Sequence, residues 1–301
     1  MPISICMKRL IDTPPRRIFT FGCSFTRYRW GTWANIIGAE FPNAEFYNIG
    51  KRSAGNQYIH NLVMQTDAVY DFTTNDLVMI QWSNPHREDR FVEEWMCTGN
   101  IYTQDVYPKD FEYDFFSKYG AYIRDFAFVH GAHSLLNKKT QFHMIPMLDF
   151  TIPSSWMHEG KSMGDWIPLD EKVKALATVY KQSLNTLMPS IYKVLWNNDL
   201  ENKFFNDSRL VGLNFKDGHP SPWEHYNYLT TVFAHTWKTR EQAKLAETRW
   251  VSLMKAGLKQ GYRSDQPVID GFAFDEFLDY TKKDNKHFVR DSDPLNPVIL
   301  R

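Results

Sequence analysis

The sequence predicts a three-layer α/β/α sandwich with a central, mostly parallel sheet. Three observations lead to that class. Short apolar runs alternate with segments of helical period. The run Asp76-Leu77-Val78-Met79-Ile80-Gln81-Trp82 is almost continuously apolar, as a strand covered on both faces is. Polar, turn-rich stretches sit after the strands, where an open parallel sheet gathers its working groups along one edge.

In chain order, Ile18 to Phe21 alternates β-branched and aromatic residues and reads as the first strand, and Gly22 breaks it just before Ser24. Trp30, Trp33, Ala34, Ile36 and Ile37 then fall at helical spacing. Residues 45 to 50 form a second short strand that runs into a polar loop ending at Gly55. Ile59, Leu62 and Val63 place a helix over residues 57 to 65, and Asp76 to Trp82 is the third strand. A polar cluster, Ser83 to Arg90, follows it. Residues 91 to 116 are rich in aromatic and acidic side chains without a clear period, which predicts an insertion, lid or binding rim. Helix is expected over 117 to 136, a fourth strand over 141 to 148, and helix over 169 to 187, with a loop carrying Trp156 and Trp166 before that last helix. Asp217 to Pro222 is a loop, and helical periodicity returns from Trp223 to about Lys259 in two pieces. Residues 1 to 260 therefore read as one domain, and 261 to 301 as a C-terminal extension.

A chain of 301 residues that is 43% hydrophobic can bury a sizeable core. Thirty-five basic residues balance thirty-five acidic ones, so no broad electrostatic footprint for nucleic acid is expected. Cys6, Cys23 and Cys97 are too few and too scattered for a disulfide framework or a zinc site. The N-terminal residues lack the apolar core of a signal peptide, and no run approaches a membrane span, so a soluble cytoplasmic protein with no membrane partner is expected. Oligomeric state is not legible.

Four of the loops carry Ser24, Gly55, Asn84, and Asp217 with His219. Brought to one sheet edge, they would assemble a hydroxyl, a glycine amide, a carboxamide and an imidazole–carboxylate pair. Acyl transfer needs that set: a base to activate a weak nucleophile, a carboxylate to orient the base, and donors for the oxyanion. Each residue also has an ordinary reading. Ser24 could cap a helix, Asn84 could start a turn at Pro85, and His219 could be a surface-loop histidine with His225 as the alternative base. Cys23 reads as a small buried hydrophobe. His130 and His133 read as helix-surface histidines in preference to a metal pair. Arg27 and Arg29 after Ser24, with Arg87 and Arg90 after Asn84, read first as solvated or paired with acids such as Glu88 and Asp89; the alternative is that two pairs beside one site hold an anionic group on a ligand.

The order Ser24, Gly55, Asn84, Asp217/His219 resembles the SGNH, or GDSL-like, hydrolase superfamily. Gly22-Cys23-Ser24 is similar to its Gly-Asp-Ser block, with cysteine in place of aspartate. Gly55-Asn56 matches the glycine block, Trp82-Ser83-Asn84-Pro85 matches the third block at the asparagine only, and Asp217-Gly218-His219 tightens Asp-x-x-His by one residue. The resemblance covers residues 17 to 235. It implies a serine esterase with Ser24 as nucleophile, His219 as base and Asp217 orienting it. It also implies an oxyanion held by the Ser24 and Gly55 amides and the Asn84 side chain, with no metal or organic cofactor. Losing the aspartate at position 23 puts the rigidity of the nucleophile turn in question. Trp82 in place of a glycine implies a pocket that is narrower or lined by an indole face. The aromatic insertion and the 151–168 loop suit an O-acyl, above all O-acetyl, ester on a carbohydrate. The alternatives are a glycan-binding protein that has lost the reaction, and a transferase moving an acyl or sulfuryl group onto a sugar. The block spelling also resembles SGNH-like proteins of tailed phages, which implies a virion or host-cytoplasm setting.

Overall fold

The computed structural model describes residues 7–28, 30–101, 107–150, 167–198 and 218–259. In chain order the elements are β1 (Lys8–Arg9), β2 (Arg17–Phe21), α1 (Trp33–Glu40), β3 (Glu45–Asn48), α2 (Asn56–Tyr70), β4 (Asp76–Trp82), β5 (Arg87–Phe91), β6 (Trp95–Asn100), α3 (Lys109–Phe115) and α4 (Lys118–Leu136). They continue with β7 (Gln141–Pro146), α5 (Ile167–Val179), α6 (Lys181–Leu184), α7 (Ile191–Trp196), α8 (Pro222–Val232), β8 (Phe233–Ala234) and α9 (Arg240–Lys259).

The central sheet has the order β3-β2-β4-β7, and every pairing in it is parallel. All seven residues of β4 are buried, which is why that segment reads as an apolar run rather than an alternation. The chain leaves β2 for β3 on one side and then crosses to β4 on the other. Right-handed crossovers in opposite directions put α1 and α2 on opposite faces. On one of them α1 packs against α8, which also meets α7 and α9; α2 packs against α4, which meets α5 and α6. The reversal between β2 and β4 is a topological switch point. There the loops after the two strands diverge and leave a crevice. Ser24 and Asn84 lie on those two loops.

Two features depart from expectation. The polar cluster after β4 and the start of the insertion form an antiparallel hairpin, β5 with β6, instead of irregular loop. Its first strand, Arg-Glu-Asp-Arg-Phe, has almost no apolar content, so periodicity does not reveal it. A two-residue parallel pair, β1 with β8, ties the two ends of the described chain together. Residues 151–166, within the expected 151–168 loop, residues 199–217 and the extension beyond 259 lie outside the described residues.

The far edge of the β2–β4 pair is closed by charge. Arg17 and Asp76 face each other in register across the strands. The guanidinium donates to both carboxylate oxygens at 2.8 and 2.7 Å, and the Thr73 N–H adds a third bond to Asp76 at 2.7 Å. Burial pushes the Asp76 carboxyl up, but the bonds from Arg17 and Thr73 outweigh it and hold it below its ordinary value. A depressed carboxylate contributes stability above its unfolded pKa, near 3.8, and loses it as pH falls through the folded one. Asp76→Ala is therefore expected to destabilise the fold at pH 7 by about 3 kcal/mol, because it strands Arg17. Urea unfolding should show the gap between variant and parent shrinking as pH falls below about 4.

Candidate active site

The turn that carries Ser24 begins where β2 ends. Gly22 has φ +156°, and a Cβ there would land on Thr26 Oγ1 and 2.9 Å from Gln81 Cβ, so only glycine fits. The Thr26 and Arg27 N–H groups both donate to the Cys23 carbonyl, at 2.9 and 3.1 Å, and close the turn around Ser24. The Thr26 carbonyl in turn accepts from the Thr32 hydroxyl at 2.6 Å and from Asn48 Nδ2 at 3.1 Å. Gln81, fully buried on β4, reaches across from the neighbouring strand. Its Oε1 accepts from Cys23 N–H at 3.2 Å, from Cys23 Sγ at 3.1 Å and from Thr26 Oγ1 at 3.3 Å. Turn rigidity, in question from the cysteine at position 23, is thus supplied by a carboxamide from another strand. Cys23 itself is fully buried, as expected.

His219 arrives from a distant part of the chain. It precedes Ser221-Pro222-Trp223-Glu224, a capping box with proline at the first helical position: Ser221 N–H donates to Glu224 Oε2 at 2.7 Å, and Glu224 N–H to Ser221 Oγ. Trp30, just after the Ser24 turn, donates its Nε1–H to the Pro220 carbonyl at 2.8 Å and so ties the two loops together. The result is that His219 Nε2 lies 2.7 Å from Ser24 Oγ, across 195 residues of sequence. Tyr28 stacks on the imidazole with ring centroids 3.7 Å apart and planes 14° from parallel. Phe25 lies against the imidazole at 5.0 Å. The Arg52 guanidinium sits 5.5 Å from the Tyr28 ring centre. Sequence reading did not single out Tyr28, Arg52 or Gln81 for the site, and it put Trp30 in a helical run that the structure begins only at Trp33. Tyr28→Ala is expected to release the imidazole and lower kcat for p-nitrophenyl acetate about tenfold with little change in KM. Steady-state kinetics of the variant check this.

The chain is similar to solved structures of GDSL-type hydrolases. One is a member of the lipolytic G-D-S-L family from Veillonella parvula, at 15% identity, with 71% of this chain and 96% of that one covered and a TM-score of 0.39. Another is a GDSL-like lipase from Bacteroides thetaiotaomicron, at 15% identity, 77% and 89% coverage and a TM-score of 0.37. A third is a catalytic mutant of an acetylxylan esterase from Geobacillus stearothermophilus, at 15% identity, 77% and 98% coverage and a TM-score of 0.35. No family model matches the sequence, and no curated protein matches it.

The oxyanion side differs from expectation at one residue. Asn84 is buried directly after β4, and its Oδ1 accepts the His86 N–H at 2.9 Å, which fixes which end of the carboxamide faces away from that turn. The Gly55 amide is not available as a donor. It heads α2 and donates to Asp89 Oδ1 at 2.8 Å, while Tyr58 N–H donates to Asp89 Oδ2 at 2.9 Å. The first N–H groups of a helix need partners from outside it, and a carboxylate on β5 supplies them here. That acceptor is remote in sequence, so nothing near Gly55 announces it.

Trp82 is a second correction. It is fully buried in the hydrophobic core, so it lines no pocket. Arg87 is half-buried and donates to the Ala54 carbonyl at 2.9 Å, whereas Arg27 is exposed. His225 is buried within α8, and Ser24 meets His219 instead. His130 pairs with the Ser183 hydroxyl at 2.8 Å and His133 is buried against Phe142, so only His130 is a surface histidine. Among the described residues no group of three metal-ligating side chains is assembled. Asp217, expected to orient His219, and Arg29 lie outside the described residues. No helix among those described is long and apolar enough to cross a membrane.

Proposed function

We propose that this chain is a serine ester hydrolase of the SGNH type that removes a short O-acyl group, acetyl above all, from a carbohydrate. The 2.7 Å approach of His219 Nε2 to Ser24 Oγ is the observation that carries the reading. In the proposed cycle the imidazole takes the hydroxyl proton as Ser24 attacks the ester carbonyl, then returns it to the departing sugar oxygen. Asp217 orients the ring. The Ser24 amide and the Asn84 carboxamide receive the oxyanion, without Gly55. The acyl-enzyme is released by water in a second pass of the same relay.

Two features support the substrate class. Ser24 is only 5% exposed among ring walls, which favours a short acyl group over a long chain. In the insertion, Tyr107, Phe111 and Phe115 form a stacked ladder with centroids 4.7 and 5.4 Å apart, and Arg90 lies 4.8 Å from the Phe111 ring centre. Phe115 is 76% exposed, so its ring face is open to solvent. Flat aromatic faces of this kind suit sugar rings. Acetate release from an acetylated xylo-oligosaccharide, compared with release of butyrate from a p-nitrophenyl ester, tests the reading. Faster acetyl release from the sugar is expected; a preference for the longer acyl chain would overturn the substrate class.

A further inference from the structure

Asn84 sits between two grips that one buried carboxylate joins. On its N-terminal side, Asn56 holds Ser83 by both backbone groups: Ser83 N–H donates to Asn56 Oδ1 at 2.7 Å, and Asn56 Nδ2 donates to the Ser83 carbonyl at 3.1 Å. On its C-terminal side, Arg124 Nη2 donates to the Pro85 carbonyl at 3.0 Å and to the Arg87 carbonyl at 3.1 Å. Asp125 on α4, fully buried, binds both holders. Its Oδ2 accepts from Asn56 Nδ2 at 2.6 Å, and its Oδ1 from Arg124 Nε at 2.8 Å. From these contacts we infer that Asp125, acting through Asn56 and Arg124, is a positioning residue that fixes the Asn84 carboxamide toward the oxyanion.

The inference rests on the reading of Asn84 as an oxyanion donor. The chemistry of the hub follows from its surroundings. Burial pushes the Asp125 carboxyl up to about 6, opposed by the bonds from Arg124 and Asn56, while the Asp89 carboxylate adds to the upward push. Glu88 on β5 also accepts from Arg124, at 3.1 Å. A buried carboxylate is costly to keep in a core unless it is paired and hydrogen-bonded. Here both of its oxygens are used to hold the segment that carries Asn84. Shifts of about 1 Å in a catalytic donor lower rates about a hundredfold, so rigidity at this loop matters more than its contribution to stability.

The test is a double-mutant cycle on the full chain with p-nitrophenyl acetate as the probe, measuring kcat and KM for Asn84→Ala, Asp125→Asn and their combination. Asp125→Asn removes the bond to one of the two holders, since one of the two accepting oxygens becomes an NH2 donor. It is expected to lower kcat about 10- to 100-fold with KM within about threefold, and to lower it no further when Asn84 is already alanine. An unchanged kcat in Asp125→Asn, or losses that multiply in the double variant, overturns the inference while leaving Asn84 as a donor. An unchanged kcat in Asn84→Ala removes the donor reading and the inference together. A wild-type rate no higher than that of Ser24→Ala removes the esterase reading as well. Asn56→Ala leaves the Arg124–Asp125 pair whole and is the second route should Asp125→Asn not fold, with the same non-additivity expected.

Discussion

Ser24→Ala is expected to lower p-nitrophenyl acetate hydrolysis by about 10⁴-fold or more, to the level that binding and oxyanion stabilisation give without a nucleophile. The neighbouring thiol cannot take over. Cys23 is fully buried, and its Sγ is turned onto Gln81 Oε1 at 3.1 Å. His219→Ala should lose nearly as much, because a serine hydroxyl without a base is a poor nucleophile at neutral pH. The two changes combined should be no worse than either alone, as groups that act in one proton relay are not additive. Steady-state kinetics of the three variants check this. Losses that multiply would mean that Ser24 and His219 act separately, whatever their 2.7 Å contact.

Gln81→Leu is the second large effect expected, and it acts on structure and rate together. The glutamine oxygen is the shared acceptor for Cys23 N–H, Cys23 Sγ and Thr26 Oγ1, all buried. Leucine fills similar space but accepts nothing, so the Cys23 N–H and the Thr26 hydroxyl lose a partner in the core. An orphaned buried donor costs about 1 to 3 kcal/mol; the Thr26 hydroxyl keeps the Phe21 carbonyl as an acceptor at 3.4 Å, so the Cys23 N–H sets that loss. Because these bonds hold the residue before Ser24 and the residue two after it, the turn should loosen and the hydrolytic rate should fall about a hundredfold. Urea unfolding gives the first quantity and kcat the second. A variant that loses stability yet keeps full kcat at a temperature where it is folded would show that the turn holds Ser24 without Gln81.

What the sequence discloses is divided by range. The four parallel strands are legible because each is a local pattern: the run from Leu77 to Trp82 is apolar on both faces, and Ile18 to Phe21 is bounded by a glycine that no other residue can replace. Ser24 and Asn84 stand out because each follows a strand, and His219 because it sits in a loop ahead of a helix; each also has an ordinary reading, and the 2.7 Å contact of Ser24 with His219 comes from the fold alone. The misreadings are all tertiary. Gly55 looks like a donor until Asp89, on a strand with four charges in five residues, arrives to take its N–H. Trp82 ends β4 and looks like a pocket wall, but its side falls in the core. Gln81 and Asp125 carry only one local sign, a polar residue where the pattern calls for an apolar one. Such a residue must be satisfied by partners that the pattern does not name.

The central claim is that Ser24 is a nucleophile made reactive by His219. Covalent labelling reads it most directly: the full chain is incubated with a fluorophosphonate, which captures activated serines, and the adduct is located by peptide mass spectrometry. One phosphonyl group on Ser24, formed far more slowly in His219→Ala, is the result predicted. No adduct, or one on another residue at a rate indifferent to His219, would contradict the account.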